Sequence, residues 1–141
     1  MSSLEKRAWL MLWSICPAYA VYFAIQGGFP ALLPTMAEHI LCLAIVAGAH
    51  AMIYLIGLLL IKRRDAGDAT QGDERDVAID RRASRTAYFI LLTGMIVVGV
   101  VMPFNRQGWQ IVNTALLAIV LSETVRYALI VISYRRTHLA H

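Results

Sequence analysis

The chain has 141 residues, 59 % of them apolar and only 16 % charged, with a formal charge of +4. That length suits one domain (1–141), and a domain so small cannot hide that much apolar surface within itself, so the composition implies lipid rather than water as the solvent. The excess of positive charge lacks the aromatic-basic interleaving of a nucleic-acid groove, which argues against direct nucleic-acid binding.

Four apolar runs organise the sequence, at 8–25, 40–61, 86–102 and 111–134. At about 1.5 Å per residue each reaches roughly 25–36 Å, close to the ~30 Å hydrocarbon thickness of a bilayer. Backbone amides in lipid must bond within their own segment, so the runs predict helices. The expected fold is an all-α, four-helix transmembrane bundle. A short basic lead with Lys6 and Arg7 precedes helix one, whose length and aromatics fit an uncleaved anchor. Pro17 frees the carbonyl of Trp13 and predicts a kink near mid-membrane. Gln26-Gly27-Gly28-Phe29-Pro30 then breaks the helix, and Pro34 keeps the short outer loop from becoming helical. Helix two carries the pairs Ala44/Gly48 and Ala47/Ala51, spaced for close approach of another helix, either in the bundle or in a second copy of the chain. Cys16 and Cys42 differ in depth by roughly 10 Å, too far for a disulfide, and read as small packing residues.

A charged connector spans 62–85. Its first part, through Gly72, has two glycines and no apolar period, and reads as flexible. At Asp73 the character changes. Asp73 is a suitable N-cap, Glu74 and Asp76 place negative charge on the first turn, and no Gly or Pro follows until Gly94. One continuous helix is expected over 73–102, with 86–102 in the membrane. At 100° per residue Asp73, Asp76 and Asp80 share one face, with Arg75, Arg82 and Arg85 on the opposite side. Such a helix is either a solvated stalk or a docking surface for a cytoplasmic partner. Residues 103–108 form a tight outer turn, and Trp109 belongs at the interface. Helix four ends in the aromatic-basic anchor Tyr134-Arg135-Arg136, and His138 and His141 fall in a short tail.

Seven of the thirteen basic residues lie in or beside the connector, and only Arg106 falls in an outer loop. That asymmetry places both termini and the connector in the cytoplasm.

Counting inward from the ends of each run, Pro17, His50, Thr93/Gly94 and Glu123 fall at a common depth, with Arg126 one turn nearer the cytoplasm. A charge at the bilayer centre costs about 2.5–3.5 kcal/mol on insertion scales, so these groups should face the bundle and find partners. In a structural reading Glu123 pairs with Arg126 three residues on, and His50 bonds to Glu123 or to a carbonyl. In a functional reading Glu123 and His50 form a protonatable site for a proton, cation or amphipathic ligand. No third ligand has helical spacing to either, and neither a phosphate loop nor a catalytic triad is present, so no metal, cofactor or enzymatic activity is expected.

The stretch from Asp73-Glu74-Arg75 to Arg85-Thr86-Ala87-Tyr88, together with Tyr134-Arg135-Arg136, resembles a widespread group of small four-helix bacterial membrane proteins of unassigned function. The likeness covers the connector, helix three and the exit of helix four. Here Thr137 replaces the glycine that often follows the arginines, and Arg82 stands where lysine is common. Members are often encoded beside small helix-turn-helix regulators. The resemblance thus implies a bacterial inner-membrane protein that partners a transcription factor, and the alternative is a small dimeric proton- or cation-coupled transporter around Glu123 and His50.

Overall fold

A computed structural model describes residues 2–29, 32–65, 74–104, 106 and 108–138. They form four long helices, α1 (Ser3–Gly28), α2 (Met36–Asp65), α3 (Glu74–Ile96) and α4 (Trp109–His138), with no strand among the described residues. All four are long and apolar enough to cross a bilayer, so the expected all-α, four-span architecture is the observed one. The helices overrun their apolar cores. α2 stays helical through Lys62, Arg63 and Arg64, where cations complement the negative end of the helix dipole, so the start of the expected connector is helical. Residues 66–73 of that connector, including the N-cap expected at Asp73, lie outside the described residues, as do Pro30, Asn105, Gln107 and His141.

Each start has a local cause. The Ser2 hydroxyl accepts the Glu5 amide at 3.2 Å and caps α1. Thr35 and Glu38 form a reciprocal capping box at the head of α2: the Glu38 amide donates to Oγ1 at 3.3 Å and the Thr35 amide to Oε2 at 2.9 Å. Gly108 turns the chain into α4 at φ +60°, a conformation suited to glycine. Pro17 lies inside α1 without ending it. Helix three also runs on past Ile96, but its winding changes, to a π segment at Val97–Val101 and a short 3-10 turn at Met102–Phe104. Pro103 explains this: its ring would clash with the carbonyl four residues back in a regular α-helix, and a widened turn relieves that clash.

The helices pack in the order α2, α1, α4, α3, with α1 and α4 in the middle. Ala8, Ala83, Ile130, Val131 and Tyr134 make one core at the end that carries the termini. Ile15, Tyr19, Tyr22 and Val120 make a second core deeper in. Among its described residues α2 buries no side chain, and Ile45, Ile53 and Leu59 point away from the other helices. Within the chain the close approaches fall elsewhere than the Ala44/Gly48 pair, where Gly48 faces open space. They occur at Gly57, against the Leu10 side chain, and at Gly94, where an added Cβ would lie 2.4 Å from that of Ala118.

Candidate functional site

Polar side chains converge on the seam between α3 and α4. Asp76, Asp80, Ala83, Ala87 and Gly94 recur at helical spacing, so one stripe of α3 carries two carboxylates followed by three small residues. The small residues bring the helices together, and the carboxylates then meet donors on α4. The Tyr134 hydroxyl donates to Asp76 Oδ1. Arg126 Nη2 donates to Asp80 Oδ1 at 3.0 Å, while Arg126 Nη1 stands 4.0 Å from Glu123 Oε2. The three side chains of this cluster are 30–38 % exposed, so their ionic contacts are partly screened. The Arg126 guanidinium also lies over the Tyr127 ring, 5.4 Å from its centroid, and its Nε is buried without a partner. Arg75 sits over the Tyr134 ring at 5.9 Å, extending the cluster toward the start of α3.

Of the expected intramembrane residues, Glu123 and Arg126 come together, but the tighter partner of Arg126 is Asp80 on α3. His50 does not join them. It lies in the α1–α2 contact, edge-on to Tyr19 with centroids 5.7 Å apart, and its buried Nε2 has no hydrogen-bond partner. The single polar layer expected at mid-membrane is thus two separate places, since a shared depth leaves open which side of each helix a residue occupies. A further polar tie, absent from the expectations, joins α1 to α4: the Tyr22 hydroxyl, fully buried, donates to Asn113 Oδ1 at 2.6 Å and accepts from Gln26 at 3.2 Å. Asn113, an amide side chain near the start of the apolar run 111–134, was its signal.

Among the residues expected on a docking face, Asp76 and Asp80 turn toward α4. Glu74, Arg75, Arg82 and Arg85 are exposed, and so is Arg81. Asp73 lies outside the described residues. Cys16 and Cys42 are free thiols, and no group of three metal-ligating side chains occurs among the described residues.

Four lipid-length helices, whose outward sides are apolar from Ile40 to Leu60 and from Tyr88 to Val101, define a polytopic α-helical membrane protein. The chain belongs to the family described as Predicted membrane protein (DUF2178), whose pattern matches residues 18–138. No curated protein and no solved structure matches it.

Proposed function

We propose that the protein is a non-enzymatic inner-membrane protein of bacterial type that presents the start of α3 to a soluble cytoplasmic regulator. The observation that carries this reading is the division of charge on that helix. Asp76 and Asp80 bond to α4, whereas Glu74, Arg81 and Arg85 are exposed and share the opposite side at 100° per residue. A helix fastened along one side offers the other as a preorganised, mainly basic surface, complementary to an acidic patch on a partner. The concentration of Lys and Arg at this end of the molecule favours the cytoplasmic side. The resemblance to proteins encoded beside helix-turn-helix regulators favours that class of partner. Co-expression with such a regulator from the chain's own gene neighbourhood tests the reading. The regulator should co-purify with the wild type in mild detergent and be lost with Arg81→Glu/Arg85→Glu at unchanged membrane levels. Equal recovery with both, or none with the wild type, would defeat it.

The alternative is a dimeric proton- or cation-coupled transporter. Its support is Glu123, which is about one-third exposed and only loosely engaged by Arg126. Against it stands the position of His50 in a different helix contact. Proton flux into proteoliposomes that Glu123→Gln abolishes would favour this alternative.

A further inference from the structure

Beside the α3–α4 seam, on the flank away from Arg81 and Arg85, lies a groove of about 610 Å³. Among the described residues its lining includes Arg75, Arg82 and Arg136 and no acidic residue, and Leu129 and Ile132 form an apolar side wall. We infer that this groove binds the phosphate of an anionic phospholipid, with an acyl chain lying along the apolar wall.

Charge complementarity comes first. Neither Arg82 nor Arg136 meets a carboxylate among the described residues, because Asp76 and Asp80 are already bonded to α4. The two hydroxyls in the lining are committed to their own helices: Thr86 donates to the Arg82 carbonyl at 3.3 Å and Ser133 to the Leu129 carbonyl at 2.7 Å. The donors that remain for a ligand are the guanidinium groups of Arg82 and Arg136, which suit an acceptor-only, multiply bonded anion such as a phosphate diester.

Placement narrows the ligand to a lipid. Arg75 and Arg136 stand at the charged ends of their helices, whereas Thr86 and Leu129 lie 11 and 7 residues further in, roughly 10–16 Å along the axes. The groove therefore runs inward from the charged helix ends, with Arg82 7 residues in and level with Leu129, and with Ile132, 45 % exposed, forming an apolar side wall beside the arginines. A free phosphate would leave that wall uncovered; a diacyl phosphate ester covers it and keeps its charge among the arginines. Basic pockets between transmembrane helices recognise anionic head groups by this combination.

Native mass spectrometry of the full chain in mild detergent, titrated with phosphatidylglycerol, phosphatidylcholine or inorganic phosphate, tests the inference. Phosphatidylglycerol should bind in preference to phosphatidylcholine, and equimolar inorganic phosphate should not displace it. Arg82→Gln/Arg136→Gln should weaken phosphatidylglycerol roughly 30-fold, and Arg82→Gln alone about fivefold. Arg63→Gln/Arg64→Gln, which removes the same charge from the exposed end of α2, should stay within about threefold of wild type. Equal losses in the two double variants, equal binding of the two lipids, or displacement by inorganic phosphate would each overturn it. Circular dichroism of every variant confirms helix content, and the single variant decides the matter should the groove double variant lose it.

Discussion

The two helical hairpins are held together by different physics. Between α3 and α4, carboxylates on one helix bond to an arginine and a tyrosine on the other, and Gly94 lets the backbones close onto Ala118. Between residues 8–28 of α1 and 36–64 of α2 no side-chain hydrogen bond crosses among the described residues; the contact is the Tyr19–His50 ring pair, apolar packing, and Leu10 against Gly57. Lipid tails are as apolar as leucine, so apolar packing alone gives two helices little reason to prefer each other over lipid. Polar ties and close small-residue contacts supply that preference. The α3–α4 pair is thus the more firmly tied hairpin, and α2 buries no side chain among its described residues. The polar ties also sit where the charged start of α3 leaves the apolar region, so the same bonds that join the hairpin fix the orientation of that charged segment.

The glycines offer the sharpest way to break this contrast. Gly94→Ala drives a methyl into the Cβ of Ala118, which cannot rotate away, and should cost about 2 kcal/mol in denaturant unfolding in detergent. Gly57→Ala meets only the branched tip of Leu10, which can turn aside. The gain in helix propensity, about 0.5–1 kcal/mol, should leave that variant near wild type. A smaller effect separates the carboxylates around Arg126. Asp80→Asn, which weakens a 3.0 Å contact, should cost about 1–2 kcal/mol, and Glu123→Gln, at 4.0 Å, less than half of that. Smallest of all is His50→Phe. The edge-on contact with Tyr19 survives and a buried nitrogen without a partner is removed, so stability should change by less than about 0.5 kcal/mol, in either direction.

Helix number and position were legible in the sequence because lipid imposes one rule, a long apolar run, that hydropathy reads directly. The Glu123–Arg126 proximity was legible too, since residues three apart on a helix are neighbours. The pairing of Arg126 with Asp80 spans 46 residues, and no local pattern encodes it. What could have indicated it is the stripe from Asp76 and Asp80 through Ala83 and Ala87 to Gly94: carboxylates in line with small residues mark a face that another helix approaches. Reading the start of α3 as a solvated extension hid that stripe. The lateral order α2, α1, α4, α3 was not legible, because it depends on how well each pair of surfaces fits in competition with lipid. For the same reason the Ala44/Gly48 spacing, common in membrane helices, did not mark a close approach by another helix of this chain.

The tie between α3 and α4 is tested most directly by a double-mutant cycle on Asp80 and Arg126. Unfolding free energies of the wild type, Asp80→Asn, Arg126→Gln and the double variant in one detergent give the coupling energy free of changes made by either substitution alone. The expected coupling is about 1–2 kcal/mol, with the double variant little worse than the poorer single. A coupling near zero, with the two losses simply adding, would contradict the polar lock between the helices.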